Sequence, residues 1–340
     1  MSRKSIRTKL FLAVLALAVP MVVLVGTFAY LQGTSAVKNT TFEGLTAIRA
    51  SKASQIEAYI DQIRKQARTL SQSRMVVDAM AEFDAAYDEL DDMELGDAQR
   101  TAVAKYYRDV FLSRLAAHSE GHIEPARYLP TDPAGLSLQY SYIAANPNPL
   151  GKKALLDDAG DGTRYSELHS VYHPVFRNFV EEFGFYDLFL IDGSGTVVYS
   201  VAKEVDVGTN LVDGPFQGSN LADAFRAAEG SVVSGDAKLV DFASYEPSLG
   251  EPASFMAAPI VDGGWMLGVL VFQMPVGEID RVMTNDRDWQ TDGLGETGET
   301  FLVGPDFLMR SNSRFVLEDR EGFVEAVLEE GMSDHDARAI

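Results

Sequence analysis

Residues 185–200 read FYDLFLIDGSGTVVYS, and residues 299–311 read ETFLVGPDFLMRS. In the first stretch an apolar run, rich in aromatic and β-branched residues, meets Gly193-Ser194-Gly195 and resumes as TVVYS. That is the pattern of two strands joined by a tight turn. The second stretch superimposes on the first. Phe301-Leu302-Val303-Gly304 falls under Phe189-Leu190-Ile191-Asp192, and Phe307-Leu308-Met309-Arg310 under Val197-Val198-Tyr199-Ser200. A chain that writes one strand-turn-strand unit twice is expected to hold two modules of one kind.

Downstream of the first unit, SNLADAFRAA reads as a short helix capped near Ser219 or Asn220. Three apolar runs follow, at 238–245, 253–261 and 265–274, the last two joined through Asp262-Gly263-Gly264 as a hairpin. Val276 to Asn285 reads as a helix leading away. Two strands, a helix and a three-strand meander predict an α+β fold with a five-stranded antiparallel sheet. One face should pack on long helices and the other should hold the short connections.

Upstream, the chain carries no charge from Leu10 to Val37, and Arg3, Lys4, Arg7 and Lys9 precede that run. A spanning helix needs ~20 apolar residues, so residues 10–32 read as a transmembrane helix and 1–9 as its cytoplasmic basic flank. The competing reading is a cleaved signal peptide. Its apolar region would be ~7–15 residues long, and no small-x-small site closes this run. Pro20 is tolerated in a spanning helix, where neighbours satisfy the freed carbonyl. Periodicity then continues. Ile56, Ile60, Ile63, Ala67 and Leu70 form a narrow heptad-like stripe. It can bury against its own domain or against a second copy of the chain, which leaves a homodimer through the long helix open. The turn-poor course from 10 to about 71 predicts one rod.

Residues 88–97, DELDDMELGD, read as an acidic connector. Asp97 can cap a helix to about 118, with Val103, Tyr106, Tyr107, Val110, Phe111 and Leu115 on one face. The five prolines between 125 and 149 mark 119–163 as loop-rich. Thr163 can cap the next helix, Pro174 should kink it and Gly184 should end it in a left-handed conformation.

The 340 residues hold 50 acids, 29 bases and no cysteine, for a net charge of −21. A surface this acidic argues against nucleic acid or anionic lipid as partner. Disulfides, thiolate metal sites and cysteine catalysis are excluded.

The order long helix, strand pair, helix, three strands resembles an extracellular Cache module, the PAS-like sensor domain of bacterial transmembrane receptors. The resemblance is carried by GFYDLFLIDGSGTVVYS, by VGTNL just after it, and by FMAAPIVDGGWMLGVLVFQMP. GLGETGETFLVGPDFLMRSNSRF (293–315) resembles the opening of a second, membrane-proximal Cache module. The resemblance implies the sensor half of a double-Cache receptor, as in methyl-accepting chemotaxis proteins and related sensor cyclases, phosphatases and kinases. Residues 33–285 would be helical stalk plus membrane-distal module, and 286–340 an incomplete membrane-proximal module. A complete second module needs further strands, a return helix, a second span and an output domain. The expectation is therefore a fragment of a longer receptor or a truncated gene, with any enzymatic output beyond residue 340.

No pattern supports catalysis, a metal or a cofactor. His169 and His173 stand four apart on one helix, but Ser170 occupies the place where a metalloprotease carries its Glu, so structural or surface histidines are expected. DDAGDG (157–162) has Ala159 and Leu168 where a calcium loop needs carboxylates, and reads as a solvated loop. Gly293, Gly295 and Gly298 precede a strand rather than a helix, so no phosphate cradle forms. Cache modules hold a small ligand between the sheet and the connection after the second strand. The resemblance places Tyr199, Lys203 and Asp206 there, joined by Asp241 and Tyr245 on the third strand and Phe255 on the fourth. The plain alternative makes Tyr199 and Phe255 core residues and Lys203 with Asp206 a solvated pair. Amino-acid-binding relatives carry R-x-W-Y after the second strand. VDVGTNLVDGPFQGSNLADAF has no such run, which argues against an amino-acid ligand.

The leading expectation is an inner-membrane, periplasmic or extracellular sensor that binds a small molecule and relays a shift through the long helix. The runner-up is a membrane-anchored interaction or scaffold protein without a small-molecule ligand. A secreted hydrolase is third, for lack of a nucleophile and base.

Overall fold

Helix α1 runs unbroken from Ile6 to Ser71, 66 residues, in a computed structural model that describes residues 5–93, 95–116, 127–231, 235–333 and 337. Its apolar N-terminal window is wholly exposed, and it is the one helix among the described residues long and apolar enough to cross a membrane. Farther along, Ile63 and Ala67 are buried and Ile56, Ile60 and Leu70 half-buried. The heptad-like stripe thus finds a partner in the chain's own domain, where α1 packs on strands β4 and β5 and helix α8 described below.

A second helix, α2 (Arg74–Asp91), begins where the Ser73 hydroxyl accepts the Val76 N–H at 3.3 Å. It corrects the reading of 88–97 as a connector, because α2 continues to Asp91. Val76, Val77, Met80, Phe83, Tyr87 and Leu90 recur at helical spacing and are buried, so apolar burial outweighs the acidic residues on the outer face. The next helix starts from Gly96 rather than Asp97, as α3 (Asp97–Tyr106). It continues through a π turn, Tyr107–Phe111, into α4 (Leu112–Leu115). Among the described residues of the loop-rich region lies an α-helix, α5 (Pro133–Gln139), that proline content had hidden. Pro133 sits in its first turn, where a missing N–H costs nothing, and Asp132 caps it by accepting the Gly135 N–H at 2.6 Å. Helix α6 (Arg164–Phe183) is capped by Thr163, passes through Pro174 and ends at Gly184 with φ 70°, both termini as expected.

Strands β1 (Asp187–Asp192), β2 (Val197–Ser200), β3 (Lys238–Ser244), β4 (Pro252–Asp262) and β5 (Trp265–Met274) form one antiparallel sheet in the order β2-β1-β5-β4-β3. Helix α7 (Asn220–Glu229) is capped by Ser219 and lies on β3, β4 and β5. The α+β fold with a five-stranded antiparallel sheet expected from the sequence is the one observed.

The register decides what each face sees. Residues paired directly across strands share a face, and faces alternate along a strand. Asp187 pairs with Gln273, which pairs with Phe255, so these three share one face, and Phe189 shares it with Val271. Leu190 pairs with Tyr199 and with Leu270, so Tyr199 lies on the other. That second face meets α2 and α6, since the Tyr199 ring lies 4.9 Å from Phe83 and 5.3 Å from Phe176.

Beyond β5 come α8 (Val276–Thr284), α9 (Arg314–Glu318) and α10 (Arg320–Glu329). The 299–311 stretch was expected to repeat the strand pair; it closes as a hairpin with a single bridge, Val303 to Met309. The Gly304 N–H reaches Leu308 O at 2.9 Å and the Arg310 N–H reaches Leu302 O at 2.7 Å. The physical difference is lateral support. β1 is paired on its far side by β5, whereas among the described residues no strand flanks this hairpin. The segment is nonetheless tethered. Lys52 on α1 donates to Val282 O at 2.8 Å and pairs with Asp292 at 2.6 Å, Thr300 donates to Met283 O at 2.6 Å, and Arg310 pairs with Asp241 at 2.9 Å.

Candidate functional site: two polar nests on opposite faces of the sheet

The six residues drawn together by the sequence reading do not form one cleft. The structure sorts them into two nests and sets one apart.

Asp206, Tyr245 and Phe255 meet on the α7 face. The Asp206 carboxylate is fully buried. Tyr245 donates to its Oδ2 at 2.6 Å, and its Oδ1 has no hydrogen-bond partner. Burial, reinforced by the nearby Asp187 charge, lifts Asp206 to about 7. Phe255 packs edge-on to Tyr245 at 5.1 Å and to Phe189 at 6.2 Å. The backbone here is pinned from α5 and from the π turn after α3. Gln139 donates to the Val205 and Val207 carbonyls at 2.9 and 3.0 Å, and Tyr107 donates to Gln139 at 2.8 Å. Glu204, which the sequence reading passed over, accepts from Tyr186 and Ser248 at 2.6 Å each. Burial first, and Asp206 second, hold it protonated well above the usual carboxylate range. Asp187 accepts four donors, including Ser200 Oγ at 2.6 Å, yet burial still lifts it to about 6.

A cleft opens beside this nest, between the 209–218 connection and residues 127–132. One lobe of 570 Å³ is lined by Arg127, Asp132, Thr209, Asn210 and Asp213 among others. A second lobe of 260 Å³ shares Arg127, Pro215 and Gly218 with the first and reaches Phe216, Ser244 and Glu246. Thr209 links cleft to nest, its hydroxyl donating to the Asp206 carbonyl at 2.6 Å. This is the side of the sheet where a ligand was expected, with charge of both signs on its lining. Phe216, which lines the second lobe, lies 5.9 Å from the Tyr128 ring.

Tyr199 and Lys203 belong to the helix face. Both are buried, and what joins them is His173 of α6, itself fully buried. Tyr199 Oη lies 2.7 Å from its Nδ1 and Lys203 Nζ lies 2.9 Å from its Nε2. His169 stacks on His173 at 4.3 Å and contacts Asp157 O at 2.6 Å. The expectation that these histidines are structural or superficial resolves to buried. Burial, and then the Lys203 charge, hold both well below the usual histidine range.

Asp241 is the residue set apart. It is exposed on edge strand β3, and its carboxylate is gripped by the Arg310 guanidinium. Simple alternation would put residues four apart on one face, but β3 shifts register between Val240 and Ala243 and ends at Ser244, so Asp241 points outward while Tyr245 turns in.

Neither a protein-family model nor a curated protein matches the chain. Among solved structures it is similar to the sensor domain of the Vibrio cholerae histidine kinase DctB, with 18% identity and a TM-score of 0.27 over 54% of this chain and 60% of that one. It is thus matched over less than two thirds of that domain. It is similar to the ligand-binding domain of the Pseudomonas fluorescens chemoreceptor CtaA in complex with L-serine, at 14% identity, TM-score 0.29, 64% of this chain and 68% of that one. A third similarity is to the ligand-binding domain of the Campylobacter jejuni chemoreceptor Tlp3 in complex with 4-methylisoleucine, at 10% identity, TM-score 0.32 and 78% of each chain.

Proposed function

We propose that the chain is the input region of a membrane-anchored receptor that senses a small molecule in the cleft on the α7 face. Residues 10–32 cross the membrane, 1–9 stay in the cytoplasm, and 33–285 form stalk and membrane-distal sensor outside it. Residues 286–340 begin a membrane-proximal module, whose exposed Phe301, Val303, Phe307, Leu308 and Met309 are the apolar face a completed sheet and core would cover. Paired stalks of two copies would carry the signal, since Val37, Phe42 and Leu45 are exposed below the point where α1 meets its own sheet.

One observation carries this reading. The helix that is apolar and unburied at one end is the helix that packs on β4 and β5 at the other, without interruption. A ligand that prefers one closure of the cleft would shift the sheet, and α1 would pass a displacement of order 1–2 Å toward the membrane. On the ligand side, Asp206 is fully buried behind the cleft, and Thr209, which lines the cleft, touches it.

The chain has no cysteine, so single introduced cysteines report topology cleanly. An impermeant maleimide applied to intact cells should label Ser51→Cys and spare Ser5→Cys. Reversed labelling, or a mature chain beginning near Ala36, would defeat the anchored reading. A broad metabolite screen by thermal shift on the full chain should yield a ligand. No hit at all would favour the scaffold alternative.

A further inference from the structure

A cavity of 410 Å³ opens at the β2 edge of the sheet, bounded by α6, the 150–154 loop and residues 201–204. It is separate from the cleft on the α7 face and shares no lining residue with it. Lys153, Arg177 and Lys203 all line it.

Two of these cations are buried without a counter-ion. Lys153 is 5% exposed, and its amine donates only to the Ile143 and Asn146 carbonyls, at 2.8 and 2.9 Å. Lys203 is 2% exposed, and its contacts are the His173 ring and the Val201 carbonyl at 3.2 Å. Among the described residues neither forms an ion pair. Arg177 does, with Asp157 at 2.6 Å. Leaving a lysine charge buried and unpaired is expensive. Lys203 also stands at φ 61°, a left-handed conformation that is strained for a non-glycine residue and collects at ligand clamps.

The tautomer of His173 shows how the fold manages this. Its Nε2 lies 2.7 Å from the Ala154 carbonyl, which can only accept, so Nε2 carries the hydrogen and Nδ1 accepts from Tyr199. Lys203 Nζ therefore faces an N–H at 2.9 Å, a contact that suits a neutral amine with a free lone pair. The other wall groups agree. Lys203 is depressed to about 7, chiefly by burial, with Arg177 lowering it further and Asp187 and Asp157 opposing. His169 and His173 are neutral, and burial keeps Glu204 protonated. Tyr142 offers only its ring, 6.0 Å from the amine. The carboxylates of Asp157 and Glu181 reach Arg177, at 2.6 and 4.0 Å, and among the described residues no carboxylate pairs with either lysine.

We propose that this cavity is a second binding site, for a small aliphatic monocarboxylate whose head group pairs with Lys203 and Lys153. The remaining wall, with Leu150, Val180, Phe185, Val201 and Pro275, is apolar and suits a short hydrocarbon tail. A dianion such as phosphate fits less well, because the carboxylate of Glu181 also lines the cavity. Pairing with the ligand makes the charged amine the stable form, so binding above neutral pH takes up close to one proton.

The test uses the full chain in detergent with butyrate as probe and inorganic phosphate as control, at matched ionic strength. Butyrate should raise the melting temperature and phosphate should not. Lys203→Met should weaken butyrate binding by about tenfold or more, while Asp206→Asn, on the other face, should leave it unchanged. Should Lys203→Met fail to fold, titration calorimetry of the unaltered chain in buffers of different ionisation enthalpy decides alone: proton uptake at pH 8 that vanishes by pH 5 supports the site. No butyrate shift, an equal shift with phosphate, or binding without proton uptake would each overturn it. None of these results depends on whether the α7-face cleft binds a ligand.

Discussion

Asp206 offers the sharpest test of the buried acid nest. Its carboxylate titrates near 3.8 when unperturbed and is lifted to about 7 in the fold, first by burial and then by Asp187. The folded chain therefore holds this proton more tightly than the unfolded chain does. The stabilisation is fully present below about pH 4 and is lost as pH rises through about 7. A gap of about three pKa units at 1.36 kcal/mol each gives about 4 kcal/mol. Because Asp206 and Glu204 lie together and titrate as a pair, that figure is a ceiling for Asp206 alone. Asp206→Asn abolishes the titration but keeps an oxygen to accept the Tyr245 hydroxyl. Chemical unfolding of the full chain in detergent, followed by near-ultraviolet circular dichroism, should find the variant and its parent similar near pH 4. At about pH 8 the variant should be the more stable, by up to about 4 kcal/mol. Taking the difference removes the general repulsion of a chain carrying −21 charges. A difference independent of pH, or a variant weaker at pH 8, would refute the reasoning, since it would mean that Asp206 is ionised and stabilised in the fold.

Three further outcomes follow from the same contacts. Lys52→Met strands Asp292 and frees the Val282 carbonyl; it should cost about 3 kcal/mol and raise amide exchange across 282–302, and unchanged exchange would show that the stalk is held by packing alone. Asp241→Ala releases Arg310 from an exposed carboxylate; it should cost about 1 kcal/mol or less, expose 302–311 to protease and leave ligand binding intact, whereas loss of the ligand shift would return Asp241 to the site. Gly208→Ala places a side chain at φ 75° and a Cβ 2.9 Å from the Gly135 Cα; it should lower stability by about 2 kcal/mol or more, and a neutral melting point would show that the 206–209 turn relaxes freely.

Much of the fold is written locally. A charge-free run behind a basic flank and a stripe at heptad spacing can each be read one residue at a time. So can glycine turns at 193–195 and 263–264, and caps at Thr163 and Ser219. The structure keeps all of them. Elements whose local signals conflicted were lost. α2 was hidden because acidic residues crowd its last turns, and α5 because prolines flank it, although its Pro133 is a starting residue. In both, burial of one apolar face outweighed composition, and burial is a property of what lies opposite.

The candidate site shows the same division more sharply. The sequence alone placed charge of both signs, Lys203 and Asp206, close together beside apolar strands. It also determined the strand alternation. Only the tertiary structure decided which face each residue joined, because that depends on the register of β1 against β5 and of β5 against β4, and on where the chain turns after Ser200. His173 is the telling residue. Nothing in HSVYH distinguishes a surface histidine from one that bridges Tyr199 and Lys203 from another element. The partners of a buried polar group come from distant parts of the chain, and packing chooses them by satisfying hydrogen bonds that water no longer supplies. A charge can be read from one residue; its counter-ion, or the lack of one at Lys203, exists only once the fold has closed around it.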